Sequence, residues 1–65
     1  MIVMAKYKLP TGQFASQRWD LPSEIIDADI IEVAKYSQPN WHLMEIIKFP
    51  DGVKQESVYL EATND

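Results

Sequence analysis

Two Pro-x-Gly segments, forty residues apart, constrain the fold of this chain more than any other feature. In "KLPTGQ" (8–13) and "KFPDGV" (48–53), Pro suits the first corner of a turn and Gly suits a position with positive φ. A type I turn closed by a glycine bulge is a common three-residue loop of β-hairpins. The sequence therefore predicts two hairpins, "MIVMAKYKL" with "QFASQRWDL" and "WHLMEIIKF" with "VKQESVYLE". Internal duplication and convergent turn chemistry both explain the match, and both stay open.

The segment between the hairpins fits either a strand or a helix. As a strand, Asp29–Tyr36 is rich in β-branched residues and ends at the turn signal "QPN". As a helix, it has an N-cap candidate in Ser23 and an apolar stripe of Ile26, Ile30 and Val33. We prefer the strand, because Ile25 and Ile31 fall off that stripe.

The expected fold is therefore mainly β, with five antiparallel strands in a small sheet or open barrel, arranged as a hairpin followed by a three-stranded meander. The alternative is an α+β fold with one helix around 23–35 on a four-stranded antiparallel sheet. "WHLMEIIKF" has apolar residues at both odd and even positions, so we expect it to be a central strand that is covered on both faces. "VKQESVYLE" is more mixed, and we expect it nearer an edge.

Size and composition predict a single domain, 1–65, that depends on apolar packing. The chain has no Cys and one His, which excludes a disulfide and a zinc site, and 46% of its residues are apolar. Met4 is a possible alternative start, which would leave residues 1–3 as a weakly ordered extension.

No catalytic or cofactor pattern is present, so we expect a non-enzyme without cofactors. His42 is the only histidine, and no spacing pairs it with a nucleophile, so we read it as a rim residue. "DADIIE" has oxygen ligands but lacks the Gly and the third ligand of a calcium loop, so we expect no metal site. Trp19 and Trp41 are expected in the core or at its rim rather than as stacking platforms for bases.

Charge and hydropathy restrict the class of partner. The net charge is −4, and the six basic residues are scattered along the chain, which disfavours direct binding to nucleic acid or anionic lipid. No apolar run approaches the ~20 residues of a membrane span, and "MIVMAKYK" lacks the basic start and cleavage site of a signal peptide. We expect a cytoplasmic protein that does not contact membranes.

The negative charge is concentrated in one stretch, "DLPSEIIDADIIE" (20–32), which holds five carboxylates and no base. If the stretch is extended, Asp27 and Asp29 lie about 6.7 Å apart on one side. If it is helical, Asp20, Glu24 and Asp27 share a face. Either geometry predicts a row of carboxylates, which is either a solvated face or a surface that occupies the phosphate-gripping Lys and Arg of a basic partner.

The chain has an acidic stretch and two compact hairpins around "KLPTG" and "KFPDG". It is also small and acidic, and it lacks Cys and catalytic motifs. In these respects it resembles the small anti-CRISPR proteins of phages and mobile elements. The resemblance implies a stoichiometric inhibitor that blocks a basic nucleic-acid-binding surface on a CRISPR effector subunit. The expected contact residues are the five carboxylates, and a second candidate patch follows them: Asp20, Glu24, Asp27, Asp29 and Glu32, then Glu56 and Glu61.

The alternative function is a β-rich interaction module or a homodimer that pairs through an edge strand such as Val53–Glu61, without nucleic-acid mimicry. In either case we expect a monomer or a weak homodimer.

Overall fold

A computed structural model describes residues 1–51 and 54–61. Its elements follow the order β1 (Ile2–Lys8), β2 (Phe14–Asp20), α1 (Asp27–Ser37), β3 (His42–Phe49) and β4 (Glu56–Leu60). The strands form one antiparallel sheet in the order β2-β1-β3-β4. The fold is mainly β with one helix, which agrees with the four-stranded alternative. The prediction of five strands is wrong.

The middle segment is the helix α1, so the predicted strand over Asp29–Tyr36 is wrong. The helix buries Ile30 and Ala34, and Ile31 packs at the rim of the same core. Ile31, which lies off the stripe of Ile26, Ile30 and Val33, therefore widens the apolar face of the helix. Acids in the first turn and Lys35 in the last turn fit the helix dipole.

The helix begins four residues later than the alternative placed it. Ser23 lies in a turn, and the residue at the N-cap position is Ile26, which makes no side-chain capping hydrogen bond. The Ile26 carbonyl instead accepts the amide of Ile30 at 3.2 Å, and the preceding turn is closed from Ile25 N–H to the Pro22 carbonyl at 3.1 Å.

The first hairpin and its loop are confirmed. Gly12 donates its amide to the Leu9 carbonyl at 2.9 Å, the Leu9 amide donates to the Gln13 carbonyl at 2.8 Å, and Gly12 has φ +91°. This is the expected turn with a glycine in the left-handed region. β3 and β4 also pair, but Gly52 and Val53 of the second predicted loop lie outside the described residues.

Gly12→Ala is expected to lower the free energy of unfolding by about 1–2 kcal/mol, because an L side chain is strained at this φ. No atom lies within 4 Å of an added Cβ, so the loss comes from backbone strain and not from a clash. Gly12→Asn should lose less, since Asn tolerates this region. Urea unfolding of both variants checks the prediction, and equal losses would contradict it.

The core lies between α1 and one face of the sheet. Its seven buried residues come from β1, α1 and β3: Val3, Ala5, Tyr7, Ile30, Ala34, Leu43 and Ile46. Trp19 and Trp41 pack at the edge of this cluster, as predicted. Because Val3 is fully buried in β1, a chain that started at Met4 would lose part of the core.

The opposite face of the sheet, which α1 does not cover, is called the open face. On the two central strands it consists of alternate residues, which are Ile2, Met4, Lys6 and Lys8 of β1 and His42, Glu45, Ile47 and Phe49 of β3. After Lys6 the register shifts at a bulge, so that Lys8 lies opposite His42.

β3 is central and β4 is at an edge, as predicted. Adding forty to the residue numbers of β1 gives 42–48, which lies within β3. Adding forty to those of β2 gives 54–60, which contains β4. The two hairpins thus meet through equivalent strands at the centre of the sheet, an arrangement that a duplication can produce. Convergent turn chemistry gives the same arrangement, so duplication stays a hypothesis.

Candidate protein-binding surface

The outer side of α1 carries an acidic stripe ending in an aromatic ring. Asp29, Glu32 and Tyr36 follow the spacing i, i+3, i+7 and therefore share one side of the helix. All three side chains are exposed, and Tyr36 is 81% exposed. Among the described residues, neither Asp29 nor Glu32 forms an ion pair. We call these three residues the outer stripe.

The only base in α1 is turned away from the outer stripe. The Lys35 ammonium lies 5.8 Å from the centre of the Tyr59 ring on β4, a cation–π distance. Lys35 is three residues from Glu32 and was a candidate to neutralise it. Because the Lys35 ammonium lies over the sheet edge, it does not neutralise the carboxylates of Asp29 and Glu32.

Two of the other three predicted contact residues are paired with cations of the same chain. The Asp20 carboxylate lies 3.1 Å from the Met1 ammonium group, and Asp27 lies 3.2 Å from the Lys48 ammonium. Both carboxylates stay more than half exposed, so these are surface pairs of small energetic value. Glu24 lies in the turn before the helix, where it accepts a hydrogen bond from Ser23.

The five carboxylates therefore do not form the single row that either sequence geometry predicted. Asp20 ends β2 and Glu24 lies in a turn, so Asp20, Glu24 and Asp27 are not on one helical face. Asp27 and Asp29 are two positions apart in a helix, which points them to different sides. The five carboxylates are exposed, but the regular row that the sequence predicted for them is wrong.

Lys48 connects the helix to the edge strand. Its ammonium lies 3.2 Å from Asp27 at the start of α1 and 3.3 Å from Glu56 on β4. The hydrogen bonds to Asp27 and then Glu56 raise the pKa of Lys48 above its usual value, against a smaller opposing effect of desolvation. The second candidate patch is thus not an isolated pair of acids, because Glu56 binds Lys48 and Glu61 contacts His42.

The pH dependence of stability follows from the direction of this shift. A raised pKa in the folded state means that the stabilisation by Lys48 is present below about pH 10 and is lost as the pH rises through the folded-state pKa. The free energy of unfolding should therefore fall above about pH 10, and should fall less steeply in Lys48→Met. Urea unfolding from neutral to alkaline pH measures both slopes, and parallel slopes would contradict the assignment.

His42 is more than half exposed at the start of β3, as expected of a rim residue. It borders a cavity of about 260 Å³ whose lining includes Trp41, Leu43, Tyr59 and Lys35. The described residues include no group of three or more side chains that could hold a metal ion. In the same part of the chain, no helix is long and apolar enough to cross a membrane.

Sequence reasoning missed two features of the surface. Tyr36 was taken for part of a strand, although its spacing from Asp29 and Glu32 was readable as soon as the segment was treated as a helix. The bases Lys6 and Lys8 were judged scattered, yet both lie on the open face of β1, and Arg18 of β2 lies on the same face opposite Met4.

No protein-family model matches the chain, and comparisons with curated proteins and with solved structures give no significant match.

Proposed function

We propose that the protein is a non-catalytic inhibitor of the anti-CRISPR type, which uses acidic side chains to occupy a basic nucleic-acid-binding site on a CRISPR effector. The observation that carries the proposal is the outer stripe, whose two acids form no ion pair in the described residues and lie on a helix that packs on the sheet through Ile30 and Ala34. A rigid helix presents charge to a partner at little entropic cost.

Tyr36 gives this surface a second element of a binding site. Tyrosine is enriched at the energetic centre of protein interfaces, where an aromatic ring fills a pocket and nearby charges set orientation and association rate. Tyr36 lies one turn beyond Glu32 and is 81% exposed. In the proposed complex the ring is the anchor, and Asp29 and Glu32 are read by Lys or Arg of the effector.

The remaining predicted residues lie around this centre. Glu24 and Asp27 precede the outer stripe, and Asp20 ends the neighbouring strand. Asp20 and Asp27 keep exposed carboxylates despite their surface pairs, so they add long-range attraction without serving as the centre of the contact.

The test is inhibition of target-DNA cleavage by a panel of reconstituted CRISPR effectors, followed by binding measurements on any effector that is inhibited. Asp29→Lys/Glu32→Lys should weaken binding by about 10- to 100-fold, and raising the salt from about 50 mM to 500 mM should weaken wild-type binding. Tyr36→Ala should act in the same direction without a change of charge.

The matched control is Glu56→Lys/Glu61→Lys, which changes the net charge equally at the second candidate patch. Retained binding in this variant supports the outer stripe, while loss only in this variant would move the interface to β4. The absence of inhibition across the panel, or salt-independent binding, would overturn the mimicry proposal.

A second candidate function is strand addition at an edge of the sheet, without mimicry. It is favoured by the position of β4 at one edge and by the seven-residue strand β2 at the other. A partner strand adds main-chain hydrogen bonds that depend little on salt. Partner binding that survives the double charge reversal and high salt, but is lost in Val58→Pro, would support it, provided that circular dichroism shows a retained fold.

A further inference from the structure

Three successive rows of the open face pair side chains of β1 and β3 that attract each other. Ile2 lies opposite Phe49, and Met4 lies opposite Ile47, so two rows are apolar on both strands. These four side chains form a compact apolar cluster at one end of the central strands, and Ile2 is 37% exposed.

The next row is complementary in charge. Lys6 lies opposite Glu45, and their charged groups are 3.6 Å apart on the surface of the sheet. In the row after it, Lys8 lies opposite His42, so both members of that row are bases, and His42 contacts the carboxylate of Glu61. Three rows therefore pair β1 and β3 with side chains that attract each other, two by apolar contact and one by opposite charge.

This pattern makes the open face self-complementary under one particular two-fold axis. An axis in the plane of the interface, midway between β1 and β3 and within about 15° of their direction, lays β1 of one copy over β3 of the other. Lys6 then faces Glu45 of the second copy, and Met4 faces its Ile47. The symmetry gives every such contact twice, as an isologous interface requires.

We propose that the open face is a homodimer interface, in which the sheets of two copies pack face to face about this axis. The result is a four-layer assembly with a helix on each outer side. Aligned sheets pack about 10 Å apart with their strands crossing at about 30°, which an axis tilted by about 15° from β1 and β3 provides, so the rows nearest the crossing point make the closest contacts. The proposal does not depend on the proposed inhibitor function, and it leaves both outer stripes exposed.

The available area predicts a reversible dimer. Four strands of five to eight residues present a face of at most roughly 20 × 25 Å, so that a dimer buries up to about 1,000 Å² in total. Specific interfaces begin near this size, and the smallest are weak. A dimer would nonetheless add to a small core, since seven side chains are buried among the described residues and the sequence has no Cys. We therefore expect a dimer with a dissociation constant in the micromolar range or weaker.

A charge-exchange experiment tests the axis itself. Lys6→Glu places two acids opposite each other across the interface, and Glu45→Lys places two bases there, so each variant alone should be monomeric by sedimentation velocity. In an equimolar mixture, the introduced Glu at position 6 of one chain faces the introduced Lys at position 45 of the other, and the native Glu45 of the first chain faces the native Lys6 of the second. The mixture should therefore recover dimers, and wild type should dimerise over a series from about 10 μM to 1 mM.

The mixture separates association from folding. Each chain in it keeps its own unfavourable neighbour at positions 6 and 45, so recovery can only come from contacts between chains. The double variant Lys6→Glu/Glu45→Lys restores the pair both within and between chains, and should dimerise like wild type. A wild type that stays monomeric to about 1 mM, or a mixture that stays monomeric, overturns the proposal.

Substitutions in the apolar rows give an independent test of the interface. Ile47→Glu should abolish the dimer, and Ile26→Glu, the same change at an exposed position before α1, should leave it intact. A dimer that survives Ile47→Glu is not formed by the open face and points to edge pairing. Binding of a single-stranded oligonucleotide in place of dimerisation would mean that Lys6, Lys8 and Arg18 serve a different partner, and would likewise overturn the assignment.

Discussion

Replacing Ile30 with Ala is expected to lower the free energy of unfolding by about 2–5 kcal/mol, enough to unfold much of the protein at 25 °C. Ile30 is the one large side chain of α1 that is fully buried, and it lies between the helix and the sheet. Its removal takes apolar surface out of the core and leaves a cavity that a small two-layer domain cannot easily fill.

The matched control is Ile26→Ala, the same substitution one turn earlier in the chain. Ile26 is 62% exposed, so its truncation should change the free energy of unfolding by less than about 1 kcal/mol. Urea unfolding followed by circular dichroism and by tryptophan fluorescence measures both. Equal losses at the two positions would show that α1 does not contribute to the core as the structure places it.

The buried position of Ile30 also explains where sequence reasoning failed. A β-branched run such as Asp29–Tyr36 favours a strand locally, and tertiary packing overrides that preference. A hint was nevertheless present at the end of β1, where Tyr7 lies between Lys6 and Lys8 and so favours a cover on one face of the sheet. A fifth strand beside the others does not cover a face, whereas a helix does.

The hairpins were predictable because their information is local. Pro10 and Gly12 fix the loop, and the loop fixes the register that places Lys8 opposite Phe14 and Met4 opposite Arg18. From this register, the clustering of bases on the open face was within reach of the sequence. The pairing of β1 with β3 joins distant segments, and no local signal specifies it.

The acidic region was predictable in composition but not in geometry. Whether a carboxylate is neutralised depends on cations that the fold brings near it, and both examples come from distant parts of the chain. Asp20 meets the amino group of Met1 because β1 and β2 are paired, and Asp27 meets Lys48 because β3 lies under the start of the helix. Because the paired residues are far apart in the sequence, neither contact could be predicted from it.

Tyr7→Phe is expected to lower the free energy of unfolding by about 1–3 kcal/mol, a large effect for the loss of one oxygen atom. The Tyr7 hydroxyl is buried and donates a hydrogen bond to the Ala34 carbonyl at 2.8 Å. Ala34 is in the last turn of α1, where carbonyls lack partners within the helix, so a residue of the sheet satisfies the helix end. Phe at position 7 leaves that carbonyl buried and unpaired.

The control is Tyr36→Phe, which removes the same atom from an exposed ring and should change the free energy of unfolding by less than about 0.5 kcal/mol. Burial raises the pKa of Tyr7, so the folded state resists ionisation and is destabilised as the pH rises past about 10. Tyr7→Phe should remove that part of the alkaline loss and leave the part due to Lys48. If Tyr7→Phe and Tyr36→Phe unfold at the same urea concentration, the hydroxyl does not connect helix and sheet.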